Sequence, residues 1–588
     1  MMPSMEPILK DKQSDKPLIT FAVCLGLAQL LPLYTQPILI FYNDAVAILG
    51  VIIAVALIGN GKNLNVQIPW IAALPLSLAV LIIMQIIFGI VRIDSDVIYP
   101  IAYFLIAAIA VLLGASVAAQ KQGSTRICIT LTYTYLSVGL LSVAIAFLQF
   151  FGMETNIPFV LQLEHSASMA PRPYANIGQP NQLALLLCLS IASTWWLYQA
   201  RRLRIATAIG ITLIMLCGLT LTQSRTGWII VPVFSALLLF YQKKVGFRKV
   251  SAWLIGGFVL SYALMVVTLP AIASFLMNLS TPSAAERVAA GASSERLVFF
   301  ELAWKISALH PWFGAGWGEF SSQQQILAAS HAPSIHSNHA HNIVLNFAAE
   351  LGWPVTLLVF GILSYWLFTS CLRRKISPEI GFATLCLMAV LMHSMVEFPL
   401  WYAYVLLPFA LLVGMVHHEQ FGSRVLSVSR TYSAGVFFLM CALFIGTAID
   451  YRSVVIAFRE QALESAGWTR VGGAVNHRSD FTISAQYHDH LEFSKTEARE
   501  EMPPEKIAFM ERVAQRFGYL PNLRRIALIY TLNDQPEKAV DKLLAAKQLF
   551  GCGYVELHQE WGQRAEKESE KFRKVFMRLP APASSFCK

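Results

Sequence analysis

Apolar residues along this chain gather in long unbroken blocks separated by short polar turns, rather than at helical or alternating spacing. A block of about twenty apolar residues spans the hydrocarbon core of a bilayer at ~1.5 Å rise per residue, so each block predicts one membrane-crossing helix. The blocks place helices at about 18–34, 37–59, 68–91, 98–119, 127–151, 181–199, 203–221, 226–242, 250–276, 343–370, 379–396, 400–416 and 432–450. Two connections are long enough to hold structure of their own, 153–180 and 277–342. After about residue 450 the pattern turns charged and amphipathic, and LPNLRRIALIYTLNDQPEKAVDKLLAAKQLFG reads as two helices broken between Asn533 and Pro536. Such a helical hairpin must pack on neighbours to bury its apolar face.

The fold class expected is therefore an all-α polytopic membrane protein with about 13 transmembrane helices and a C-terminal helical, repeat-like domain. Three parts are expected: N-terminal membrane helices over 1–152, a membrane core over 153–450 that carries both long loops, and a helical tail over 451–588. Composition agrees, with 56% hydrophobic and 14% charged residues, where a soluble domain carries roughly 25% charged. The first block follows Lys10, Lys12 and Lys16, but no small-residue cleavage site follows it, so it reads as a retained helix. The nine cysteines show no metal-ligand spacing. Cys552 and Cys587 read as unrelated thiols, although an oxidising compartment would let them pair.

Lysine and arginine concentrate in alternate turns: Lys121 and Arg126, Arg201 to Arg204, Lys243 to Lys249, Arg373 to Lys375, and Arg424 with Arg430. Short cytoplasmic loops retain such residues, which places these turns inside and both long loops, with the tail, outside. The net charge of +10 follows from those loops and implies no nucleic-acid partner. Cations on the outer side are few, so Arg172, Arg225, Arg287 and Arg296 each need a reason.

Four polar clusters lie on that side. The first is HSNHAHNIVLNFAAELGW, with His336, His339 and His341 in six residues. No Glu or Cys accompanies them, and a metal site is disfavoured. His336 and His339 read as solvated loop. His341 differs, because Asn342 and an apolar run fix it at the mouth of a helix, and an imidazole can take a hydroxyl proton near neutral pH. The second is RPYANIGQPNQLA, where turn chemistry explains Pro180 and Asn181 but not the gathering of Arg172, Tyr174, Asn176 and Gln179 beside a bilayer. The third is LTQSRTGW, with Arg225 wedged between two apolar blocks; snorkelling is the competing account. Arg296 in SSERLVFF repeats the theme. The fourth is MHSMVEFPLWYAYVLLP, which sets His393, Glu397, Tyr402 and Tyr404 around Pro399. Belt aromatics account for the tyrosines as readily as a site does.

HPWFGAGWGEF followed by AHN and AELGW resembles the membrane core shared by O-antigen ligases, O-antigen polymerases and bacterial protein O-oligosaccharyltransferases. RPYANIGQPNQLA, SRTGW and the helical tail look most like the protein O-oligosaccharyltransferase branch, pilin glycosylases included. The resemblance covers roughly 171–408 well and the tail more loosely; the first five helices match in hydropathy alone. It implies en bloc transfer of a glycan from undecaprenyl diphosphate to a Ser or Thr hydroxyl of a periplasmic, pilin-like acceptor, by a multi-pass bacterial inner-membrane enzyme with its site facing the periplasm. It implies His341 as the catalytic base, Arg225 and Arg296 as donor-diphosphate ligands with Arg287 competing for the second place, and Gln179, Tyr402 and Asn342 as substrate-orienting groups, with Tyr404 the other candidate for the tyrosine. No metal or cofactor is needed if arginine carries the anion. Three other readings stand beside it: an O-antigen ligase that delivers the same glycan to lipid A-core, a transporter, and a scaffold whose tail recruits partners.

Overall fold

The computed structural model describes residues 15–58, 63–164, 171–277, 292–331, 334–468, 478–479, 481–567 and 570–582. In chain order the first helices are α1 (Lys16–Leu30), α2 (Phe41–Ile58), α3 (Ala73–Ile87), α4 (Ile98–Ala118) and α5 (Gly123–Phe150). They are followed by α6 (Pro180–Gln199), α7 (Ile205–Leu221), α8 (Thr226–Tyr241) and α9 (Ala252–Met277). Next come α10 (Ala292–Leu309), α11 (Phe320–Ile326), α12 (Ile343–Leu351), α13 (Trp353–Leu367), α14 (Pro378–Ser394), α15 (Ala403–Phe421) and α16 (Arg430–Ser465). The tail adds α17 (Ala485–Lys495), α18 (Pro504–Arg516), α19 (Leu520–Leu532), α20 (Pro536–Leu549), α21 (Gly551–Lys567) and α22 (Glu570–Phe576). Among the described residues the only strands are β1 (Asn63–Ile68) and β2 (Arg424–Ser429), which pair antiparallel with Asn63 opposite Ser429.

The protein is an all-α polytopic membrane protein. Seven helical segments among the described residues are long and apolar enough to cross a membrane, and four shorter apolar helices accompany them. One expected span is corrected. The block over 343–370 is two helices, α12 and α13, separated at Gly352, whose φ is +83°. A Cβ there would lie 2.5 Å from the Trp312 carbonyl oxygen, so the backbone reverses hand where only glycine fits. The crossing segment starts at Trp353.

Two compact units divide the chain. The first comprises Met1–Leu78, Ala102–Ala290 and Gly361–Ala448. Its central element is α6, buried on almost all sides, with Leu183, Leu187 and Trp196 packed in the same core as Leu385 and Ala389 of α14. In this unit α4 and α15 touch backbone to backbone: a Cβ on Gly114 would fall 2.0 Å from the Leu411 carbonyl oxygen, and one on Gly414 equally close to that of Val111. Small residues permit such approach in lipid, where dispersion rather than water drives association.

The second unit comprises Ala79–Ile101, Gly291–Phe360 and Ile449–Lys588. One core packs Phe299, Leu302 and Ile306 of α10 with Phe320 and Ala349. The other is the tail core of Met510, Ile526, Leu543 and Trp561, into which Ala328 also inserts. The expected hairpin is present as α19 and α20. Cys552 forms a disulfide, which corrects the reading of two unrelated thiols. Its candidate partner Cys587 lies outside the described residues.

Candidate active site

In the first unit, three of the polar clusters converge on one buried network. The Asn181 side chain, in the first turn of α6, donates to Glu397 Oε1 at 2.7 Å and accepts from Ser224 Oγ at 2.7 Å. Ser224 Oγ also lies 2.9 Å from Thr226 Oγ1, and that hydroxyl meets Nδ1 of the fully buried His393 at 3.0 Å. Both neighbours of Arg225 are thereby pinned by side chains from distant helices. The same turn is gripped from the other side, where Arg172 Nε donates to the Thr222 carbonyl at 3.2 Å. Arg225 stands at the N-cap of α8, and the free amides and dipole of a helix start favour an anion.

Gln179 occupies the N-cap of α6, and its Oε1 is buried with no donor among the described residues. The turn before it is rigid. Gln149 accepts from the backbone amides of Tyr174 and Ala175, and Asn176 donates to the carbonyls of Leu30 and Phe159. Tyr34 Oη donates to the Asn176 carbonyl, and its ring fills the space where a Cβ of Gly178 would sit. Tyr402 is the N-cap of α15, stacked on Phe398 with centroids 6.1 Å apart and 5.4 Å from the Tyr404 ring. The two residues that follow Tyr402 are held by Asp44, a carboxyl in the first turn of the otherwise apolar α2. Asp44 accepts from the backbone amides of Ala403 and Tyr404 and from Tyr103 Oη. Sequence reasoning missed this residue, although an acid inside FYNDAVAILG was the signal that could have found it.

In the second unit, His341 has φ +53°, left-handed backbone for a residue with a Cβ. Its ring stacks on Phe299 with centroids 5.5 Å apart and on His339 at 5.1 Å. Arg296 lies three residues before Phe299 on α10, a spacing that puts the two side chains on one helix face. The ring contact thus seats His341, with Asn342 next in chain, against α10, the helix that carries Arg296. Asn342 caps α12, with its oxygen accepting from the amides of Val344 and Leu345. Arg287 lies outside the described residues.

His336 is not a solvated residue. Its Nε2 meets Ser321 Oγ at 2.8 Å, and its ring packs on Tyr519 and Phe550 of the tail. Burial, helped by the nearby Arg516 charge, pushes its pKa down to about 4. The loop 314–320 folds around the end of α12. Ala315 and Gly316 donate to the carbonyls of Ala349 and Glu350, and the Gln85 side chain bonds the carbonyls of Phe313 and Glu350 and the amide of Trp317. Burial pushes the Glu350 carboxyl up to about 8, against the pull of its own hydrogen bonds.

An O-antigen ligase model matches residues 210–360, a model for the C-terminal part of a virulence-factor membrane-bound polymerase matches 382–565, and a protein glycosylation ligase model matches 173–198. The chain is 24% identical over 570 residues to a general O-oligosaccharyltransferase of Acinetobacter baylyi, covering 94% of this chain and 96% of that one. It is 25% identical over 419 residues to a ComP-specific O-oligosaccharyltransferase of the same species, covering 71% and 74%. The chain is thus similar to O-antigen ligases and to protein O-oligosaccharyltransferases, and it is a multi-pass membrane enzyme of the oligosaccharyltransferase type. O-linked protein glycosylation is the reaction class these findings support.

Proposed function

We propose that this enzyme moves a preassembled glycan from undecaprenyl diphosphate to a Ser or Thr hydroxyl of a pilin-like acceptor at the periplasmic face of a bacterial inner membrane. The observation that carries the reading is the second-unit arrangement, in which His341 stacks on Phe299 one helical turn from Arg296. A base and a cation sharing one support suit a displacement in which a proton is lost as an anion departs. The acceptor oxygen attacks the anomeric carbon while His341 takes its proton. The bond from that carbon to the lipid diphosphate breaks in the same displacement. The departing diphosphate gains charge, which Arg225 and Arg296 neutralise. Gln179 and Tyr402 orient sugar or acceptor. Asn342 contributes by fixing the helix start on which His341 stands.

The Cys552 disulfide supports an oxidising compartment for the tail, in line with the cation-rich turns on the opposite side. The O-antigen ligase match over 210–360 favours a second reading, with the same donor and a lipid A-core sugar as acceptor.

The test is transfer in a heterologous host supplied with a lipid-linked glycan and a candidate pilin, comparing the natural chain with His341→Ala and Arg225→Ala. A pilin mass shift lost in both variants at normal membrane levels is expected. Undiminished transfer by His341→Ala would sink the mechanism. Glycan on lipopolysaccharide with none on pilin would replace this reading by the second.

A further inference from the structure

We propose that Asn346, locked by Glu350, is the positioning residue that holds His341 in register for transfer; this rests on the reading of His341 as the base. Asn342, Asn346 and Glu350 recur every fourth residue and so share one face of α12. Asn346 and Glu350 are 2% and 3% exposed. Neither helps the core by packing, since a polar side chain costs free energy to bury unless it is bonded. Their bonds run in one direction. Ala340, fully buried and next in chain to His341, donates its backbone N–H to Asn346 Oδ1 at 3.0 Å. Asn346 Nδ2 then donates to Glu350 Oε2 at 3.1 Å. The Glu350 carboxyl further accepts from the backbone amides of Gly318 and Phe320 in the folded loop.

The amide orientation of Asn346 is dictated by this chain. The Ala340 N–H demands an oxygen, which leaves the NH₂ for the Glu350 carboxyl oxygen, and asparagine alone among residues of this size serves both. His341 itself is in left-handed backbone, φ +53°, a conformation that persists only where the surroundings impose it. Asn346 supplies that constraint from below, and the Asn342 cap supplies it from above. Removing the lower anchor lets the 340–341 peptide relax, and a displacement of about 1 Å at a reacting group costs up to about 10²-fold in rate.

The experiment uses purified full-length enzyme with a lipid-linked glycan and a pilin acceptor, and measures kcat per folded molecule, KM for the donor, and folded yield by size exclusion. Variants are Asn346→Ala, Asn346→Asp, Asn346→Asp combined with Glu350→Gln, and His341→Ala. Asn346→Asp keeps the oxygen for Ala340 but removes the NH₂ that Glu350 accepts from, and in assays run at pH 9, above the Glu350 pKa of about 8, it sets two carboxylates against each other. The combined variant restores complementarity, because the new amide at 350 donates to the new carboxylate at 346 while its carbonyl still accepts from the loop.

Expected are a kcat lower by roughly tenfold or more in both single Asn346 variants, a donor KM close to the natural value, and recovery of most of kcat in the combined variant. Natural kcat in Asn346→Ala, or a combined variant no better than Asn346→Asp, would overturn the proposal. A fall in folded yield with kcat per folded molecule unchanged would also overturn it, since that is the mark of a purely structural pair. Full transfer by His341→Ala would instead remove the reading beneath it, whatever the Asn346 variants did.

Discussion

Asp44→Ala is the substitution from which the first unit has most to lose. The carboxylate stands 2% exposed in α2 and accepts from the amides of Ala403 and Tyr404 and from Tyr103 Oη. Alanine leaves two backbone N–H groups facing an apolar interior, and each buried orphan costs about 1–3 kcal/mol. The tyrosine hydroxyl can turn to another acceptor, so the expected loss is about 2–6 kcal/mol, before any non-additivity between neighbours. Asp44→Asn keeps one oxygen for the amides and reverses the Tyr103 bond, its NH₂ donating to Oη, for a loss nearer about 1 kcal/mol, and Tyr103→Phe, which removes only that bond, should cost about 1–2 kcal/mol. A multi-unit membrane enzyme does not melt in one step, so the useful readout is rank order. Detergent-solubilised protein would be heated in steps and the monodisperse fraction followed by size exclusion, with transfer measured on the survivors. Asp44→Ala should fall first, and its surviving molecules should transfer slowly because Tyr402 has lost its seat. Equal heat resistance of Asp44→Ala and Asp44→Asn would refute this accounting of the carboxylate.

Three further outcomes follow from the second unit. Arg516→Ala strips the ion partner from Asp96 and the bond to Asn338, a loss of about 2–4 kcal/mol for a largely buried pair; hydrogen exchange should rise in 334–340, and unchanged protection there would contradict the role given to Arg516. Gly314→Ala forces a Cβ to 2.2 Å from the Glu350 backbone at φ +69° and should abolish folded yield, whereas Gly318→Ala, at φ +81° with open space around it, should cost only about 1 kcal/mol. His336 titrates near 4 when folded and near 6.5 when unfolded, so the unfolded chain binds the extra proton and stability falls as pH drops from about 6.5 to 4. His336→Gln should flatten the acid side of a stability-against-pH curve, and an unaltered slope would mean another group dominates it.

The membrane helices were legible because apolar blocks of spanning length have few other uses. The division at Gly352 was not, since AELGW sits inside one continuous apolar run and only contact with the Trp312 carbonyl makes glycine necessary there. The four clusters could be picked out as unusual beside a bilayer, but that Asn181, Ser224, Thr226, His393 and Glu397 form one network depends on how α6, α8 and α14 pack. His336 was misjudged for a related reason. The groups that bury His336 come from the tail, and the Asn338 to Arg516 bond alone spans 178 positions. Asp44 and the Asn346 to Glu350 pair did leave traces, an acid in a membrane block and two polar residues one turn apart in an apolar helix. Those signals were outweighed by louder motifs nearby.

The fold of the second unit also has a consequence in time. The segment between α10 and α12 that carries His341 is held by Gln85 and Arg92 and also by Gln515, Arg516 and Gln548. A ribosome making this chain inserts the membrane helices long before the last of those residues exists. Until α20 emerges, the segment before His341 lacks the bond from the Ser334 N–H to the Gln548 carbonyl. Chains stopped after Lys495 are therefore expected to insert but to transfer no glycan, and glycan transfer by such chains would show otherwise.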